Sequence, residues 1–252
     1  MIDLDKAHTK RRLLYIKLRR TLVKCLILPD HFRHLLPQKS HVILKDYQVA
    51  YLSIPKVACS SIKYALAGLI FGRELDPFGQ DKTLRIHEDV FIGRSLKSIA
   101  RKYDDYFKFT FVRNPWDRLV SCYNDKILNP DRRTPKMIHQ GFEAGMTFAA
   151  FIERVCHVPD EEADEHICSQ IGRIAYQGRC LPDFVGRFET LTEDWQQLRT
   201  ILAPRLDRAL PDLPCVNKMP HLPYQRYYDR RLKNMVQERY KYDIEWFNYQ
   251  FE

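Results

Sequence analysis

Lys56, Ser60 and Ser61 stand close together in Ile54-Pro55-Lys56-Val57-Ala58-Cys59-Ser60-Ser61. One mobile cation beside two hydroxyls is equipped to hold a phosphate-like anion. A second cluster, Phe111-Val112-Arg113-Asn114-Pro115-Trp116-Asp117-Arg118-Leu119-Val120-Ser121-Cys122-Tyr123, couples Arg113 with Ser121. A guanidinium fork and a hydroxyl suit a terminal phosphate. Two such clusters point to a nucleotide phosphorylated at two ends. The plainer readings are a solvated lysine, helix-capping serines and a structural salt bridge.

Both clusters fall where a strand gives way to a helix. Residues 49–54 are apolar and read as a buried strand, and Ile62, Ala65, Leu66, Leu69 and Ile70 then mark one face of a helix over residues 60–72. A helix start offers unpaired N–H groups and a positive dipole end. Residues 106–112 read as a second buried strand. Asn114 suits an N-cap and Pro115 the first helical position. Trp116, Leu119, Val120, Tyr123 and Ile127 carry an apolar stripe onward from there.

Elsewhere, residues 42–44 and 184–189 read as strands, 148–155 as a helix, and 129–145 as an exposed loop. Thr190 and Glu193 form a capping-box pattern for a helix through Leu202. Residues 204–223 are proline-rich and irregular, and residues 229–247 read as one terminal helix. Strands alternating with helices predict an α/β fold with a central parallel sheet flanked by helices.

A chain of 252 residues, 45% hydrophobic and 12% aromatic, can bury a full core. The net charge of +9 suits an anionic partner: nucleic acid, a membrane surface, a phosphorylated cofactor or an acidic polysaccharide. No nucleic-acid-binding motif is present, so no specific nucleic acid is expected. Residues 13–28 read as a basic amphipathic helix in an appendage over 1–40. Such a helix packs on its own domain or makes peripheral membrane contact. Lys17, Arg19, Arg20 and Lys24 interrupt it, so it does not span a bilayer.

The seven cysteines, at 25, 59, 122, 156, 168, 180 and 215, show no C-x-x-C spacing. Zinc is not expected, and a reducing compartment is. In a secreted protein, bridges among Cys156, Cys168 and Cys180 are the alternative. The pattern G-x-x-x-x-G-K-[ST] is missing, as is G-x-G-x-x-G, so neither an ATP-type loop nor a dinucleotide fold is supported.

Taken in order, Pro55 to Ser61 and Val112 to Tyr123 resemble the two cofactor motifs of PAPS-dependent sulfotransferases. PAPS is 3′-phosphoadenosine 5′-phosphosulfate. The resemblance is nearest to the carbohydrate group containing the chondroitin 4-O- and heparan sulfate 2-O-enzymes. It extends over about residues 42–250 and includes Asp183 to Leu191 with Glu193-Asp194-Trp195. It implies a P-loop-like, PAPS-binding sulfotransferase domain over 41–252 and sulfuryl transfer to a carbohydrate hydroxyl, without a metal.

The resemblance also implies roles. Pro55, Lys56, Val57, Ala58, Cys59, Ser60 and Ser61 would hold the 5′-phosphosulfate, with Lys56 stabilising the leaving group. Arg113 and Ser121 would hold the 3′-phosphate, and Lys218, Arg226 and Tyr227 would close over the cofactor. The general base is left among His87, His166 and Glu88. The heparan sulfate 2-O-enzymes carry an H-x-H pattern in the interval of His87, where this chain has one histidine followed by acids. The alternatives are sulfation of a lipid or small-molecule alcohol, and a non-catalytic polyanion-binding module on the same fold. The expected setting is cytoplasmic and bacterial, or the Golgi lumen if an anchor lies outside this sequence.

Overall fold

The structure is a computed structural model that describes residues 40–87, 90–91, 93–216 and 222–252. The amphipathic segment 13–28, Cys25, Glu88 and Lys218 lie outside the described residues.

Its frame is a four-stranded sheet. Strand β1 (Val42–Leu44) pairs antiparallel with β2 (Val49–Tyr51). A single 3-10 turn joins them, ending at Gln48 in the left-handed region, and so short a link permits only antiparallel pairing. Helix α1 (Cys59–Phe71) follows β2, and α2 (Leu96–Lys102) leads to β3 (Phe107–Val112). β3 lies parallel to β2, in register from Val49 opposite Phe107. The sheet is therefore mixed, not wholly parallel as expected.

Beyond β3 come α3 (Pro115–Cys122), α4 (Pro135–His139) and α5 (Phe148–His157). Asn114 caps α3 by accepting from Trp116 N, with Pro115 in the first turn, as anticipated. A π-helical segment, Tyr123–Ile127, continues α3 and keeps Tyr123 and Ile127 in the core. The supposed loop over 129–145 contains α4, because Thr134-Pro135 is itself a cap followed by a helix-compatible proline.

A two-stranded hairpin, β4 (Ala175–Tyr176) with β5 (Arg179–Cys180), turns through Gln177 and Gly178, both at positive φ. β6 (Phe184–Arg187) then adds parallel to β3. A Cβ at Gly186 would meet the ring of its register partner Phe111 at 2.3 Å, so this position of the pairing requires glycine.

The capping box at Thr190 does not form. Thr190 donates instead to Asp194 Oδ2, which also accepts from Arg187 N at 2.6 Å, and α6 (Leu191–Leu202) begins without a side-chain cap. The terminal helix is two helices, α7 (Arg230–Arg239) and α8 (Lys241–Phe247), broken at Tyr240. The break lets the buried Tyr240 hydroxyl reach Ile167 O and the buried Asp243 carboxylate accept from Gln170 N and Ile171 N.

Among the described residues three hydrophobic clusters result, a small one around Tyr64, Ala67, Leu75 and Ile86 and two large ones. One large cluster joins the sheet to α1, α2 and α6 through residues such as Leu66, Ile99, Phe109 and Trp195. The other joins α3, α5 and α7 through Trp116, Leu119, Phe151 and Val236. The β2–α1 and β3–α3 junctions therefore rest on well-packed elements, which is what a site of fixed geometry needs.

Candidate active site

The first loop is held in an unusual backbone. Lys56 has φ 68° and Ala58 φ 51°, both in the left-handed region without being glycine. Each such residue costs about 1–3 kcal/mol and persists only where its surroundings enforce it. Arg118 is part of that enforcement. It is 1% exposed. Its Nε donates to Pro55 O at 3.1 Å, its Nη1 to Cys168 O at 2.7 Å and its Nη2 to Glu165 O at 3.2 Å. One guanidinium thus ties the loop to the segment around His166.

Ala58 is the N-cap position of α1, and no side chain caps that helix. Ser60 and Ser61 are therefore not capping residues. Ser60 Oγ meets His87 Nε2 at 2.9 Å, and Ser61 Oγ accepts from Val216 N at 3.4 Å. Pro55 and Val57 are buried, while Lys56, Ala58, Cys59 and Ser60 are partly exposed.

The two junctions meet directly. Arg113 Nη1 donates to Lys56 O at 3.1 Å across 57 residues of sequence. Arg113 Nε also pairs with Asp117 Oδ2 at 2.7 Å, and its guanidinium lies 3.9 Å from the centre of the Phe188 ring. Gln170 grips the Arg113 backbone from both sides, accepting from N at 2.9 Å and donating to O at 2.8 Å. Glu189 accepts from Asn114 N at 2.6 Å.

Lys56 Nζ donates to Asp125 Oδ2 at 2.8 Å. The Asp125 carboxylate also meets Arg132 at 2.8 Å and Lys126 at 3.4 Å. Burial raises the Asp125 pKa, but Lys56 and the other cations outweigh it and hold the carboxyl below its usual range. Asp125 sits on the π-helical segment, a geometry often found where a side chain must be re-aimed.

His87 Nδ1 lies 3.0 Å from Lys63 Nζ. Lys63 is 4% exposed, and burial lowers its pKa. Desolvation, then the Lys63 charge, lowers the pKa of His87, although the residue as a whole is exposed. His166 Nδ1 lies 2.7 Å from Asp164 Oδ1, and Asp164 Oδ2 accepts from Thr134 Oγ1 at 2.6 Å.

Ser121 is partly exposed on α3, and no hydrogen bond joins it to Arg113 among the described residues. Arg226 is exposed. Tyr227 accepts from Asn124 at 3.4 Å and packs on Phe148, beside α3 rather than the first loop. Among the described residues no group of His, Cys, Asp or Glu could hold a metal ion, and no helix is long and apolar enough to cross a membrane. The six described cysteines are all free, so no bridge joins Cys156, Cys168 and Cys180.

Asp125, Lys63 and Asp164 were not singled out from sequence. Asp117 and Arg118 stood in the quoted motif without a role. Asp164 had a weak signal, a carboxylate two residues before a histidine.

Residues 39–250 match the model of the Sulfotransferase family. Human carbohydrate sulfotransferase 9 is 26% identical over 200 residues, covering 69% of this chain and 44% of its own length. Human carbohydrate sulfotransferase 14 is 28% identical over 180 residues, covering 65% and 47%. Rat carbohydrate sulfotransferase 11 is 25% identical over 190 residues, covering 66% and 52%. The chain spans about half the length of these curated relatives. No solved structure matches it.

Proposed function

This chain belongs to the Sulfotransferase family, and from that premise we propose that it transfers a sulfuryl group from PAPS to a hydroxyl of a carbohydrate acceptor. The observation that carries the reading is the contact of Arg113 with Lys56 O, which joins two anion-suited strand–helix junctions into one site. PAPS supplies a sulfuryl group already activated on a phosphate, with a second phosphate at its 3′ position.

The residues present fit such a group. Residues 55–61 combine a cation, two hydroxyls and a helix start with two left-handed residues, a combination suited to an anion. We read it as a P-loop-like loop without glycine. In this reading the loop binds the 5′ end, and Lys56 neutralises negative charge at the leaving oxygen. Arg113 and Ser121 bind the 3′-phosphate. Arg226 and Tyr227 flank the cofactor, and residues 41–252 form the catalytic unit. The names of the relatives support a carbohydrate acceptor.

The test is calorimetric titration of the desulfated product, 3′-phosphoadenosine 5′-phosphate (PAP), into wild type and Arg113→Ala, with ATP as control. PAP binding that Arg113→Ala abolishes, with ATP ignored, is expected. A folded wild type that ignores PAP would overturn the reading. Transfer assays with glycan, lipid and small-molecule alcohols then identify the acceptor class.

A further inference from the structure

Sulfuryl transfer needs a group to take the acceptor's proton, and the described residues offer His87 and His166. We infer that His166 is the general base, that Asp164 and Thr134 are its positioning residues, and that His87 belongs to the donor loop instead. This rests on the sulfuryl-transfer reading above.

The argument starts with proton bookkeeping. An ionised carboxylate only accepts. Burial raises the Asp164 pKa, but its bonds to His166 and Thr134 outweigh that and keep it ionised. His166 Nδ1, 2.7 Å from Asp164 Oδ1, must then carry the proton. The lone pair of the neutral ring is left on Nε2, which has no hydrogen-bond partner among the described residues. The carboxylate cannot swing, because Thr134 Oγ1 holds Oδ2 at 2.6 Å. Thr134 is fixed in turn as the N-cap of α4, accepting from Met137 N at 3.0 Å. A chain of defined bonds thus runs from a helix start to the ring that presents a basic nitrogen.

His87 lacks that opening. Its Nε2 is engaged by Ser60 Oγ and its Nδ1 by Lys63 Nζ. A charged Lys63 only donates, so Nδ1 accepts and Nε2–H donates to Ser60. A neutral Lys63 can donate or accept, so either tautomer of the ring fits. In every arrangement the two ring nitrogens are occupied by side chains of the first turns of α1.

Position agrees with this division. Arg118 binds Pro55 O, next to Lys56, and also Glu165 O and Cys168 O, which lie on either side of His166. The step balances simply. Nε2 takes the acceptor hydroxyl's proton as the acceptor oxygen bonds to sulfur. The sulfur–oxygen bond to the phosphate breaks, and its electron pair stays on the phosphate oxygen.

Asp164 also accepts from His166 N at 2.9 Å, so a role confined to shaping the turn must be separated. Asp164→Asn retains an oxygen for that turn but removes the charge. A neutral amide oxygen is a weaker acceptor than a carboxylate. The His166 Nδ1 proton, strongly deshielded in wild type, therefore moves upfield in the NMR spectrum of Asp164→Asn.

His166→Gln should lower kcat by about 10²–10⁴-fold with the Kd for PAP unchanged. Asp164→Asn should lose a smaller share, because the ring nitrogen remains and only its tautomer and orientation are loosened. Thr134→Val should lower kcat and Thr134→Ser restore it, since serine keeps both the cap and the donor. His87→Gln should raise the Kd for PAP. Wild-type turnover in His166→Gln, or an unmoved proton and kcat in Asp164→Asn, overturns the assignment. So does loss of kcat in His87→Gln with PAP affinity intact. Failure of wild type to bind PAP would instead bring down the sulfuryl-transfer reading itself, and this assignment with it.

Discussion

Replacing Arg118 by methionine should loosen the fold and the first loop together. The side chain fits the slot by volume but cannot donate to the carbonyls of Pro55, Cys168 and Glu165. Hydrogen bonds from a charged donor are worth about 1.5–3 kcal/mol each, or about 4.5–9 kcal/mol for the set. Removing the guanidinium also recovers its desolvation cost, several kcal/mol for a buried ion. Setting that recovery at about 3 kcal/mol leaves a net loss of about 1.5–6 kcal/mol, against a total stability of about 5–15 kcal/mol for a folded protein. For a chain of this size that lowers Tm by about 3–24 °C.

Urea denaturation measures the loss through the transition midpoint at constant slope, and calorimetry measures PAP binding below the transition. Arg118→Lys can reach fewer carbonyls and should fall between wild type and methionine on both scales. A loss below about 1 kcal/mol for Arg118→Met would refute the staple. Destabilisation with wild-type PAP affinity would refute its link to the loop.

Two further perturbations follow from the same geometry. Asp125→Asn leaves Lys56, Lys126 and Arg132 around a neutral amide, so the site becomes more positive and releases Lys56 to a ligand. PAP should bind about tenfold tighter, about 1.4 kcal/mol, at low salt, with the gain shrinking as salt rises; equal affinity at both salt levels would show that Asp125 does not compete for the cation. His41 is buried, and its Nδ1 has no hydrogen-bond partner. Burial, then the Arg173 and Lys63 charges, holds its pKa well below the usual histidine value. The unfolded chain therefore takes up this proton first, near pH 6.5, and stability present above that pH drains away as pH falls, at up to about 1.4 kcal/mol per unit. His41→Gln should flatten that difference between pH 7 and 5 in urea titrations, and identical slopes in both proteins would rule it out.

The Asn114-Pro115 start of α3, the strand before each cluster and the apolar face of α1 were all legible from neighbouring residues. Caps, prolines and periodicity act within a turn or two, so sequence alone determines them. Family membership was legible for the same reason, since both motifs are continuous stretches. The break at Tyr240 was not, because it is imposed by Ile167, Gln170 and Ile171, about seventy residues away in the chain. The edge pairing of β1 and the π-helical turn at Asp125 also depend on what the chain packs against.

The site divides along the same line. Sequence alone named Lys56, Ser60 and Arg113 as reactive types at strand–helix junctions; the resemblance added His87 and His166 and left the base undecided. Only the tertiary structure paired Lys56 with Asp125, enclosed His87 between Ser60 and Lys63, and set Asp164 and Thr134 behind His166. A residue's type sets which protons it can give or take. Which of its atoms stays available is decided by the partners that folding brings within about 3 Å, and most of those are remote in sequence.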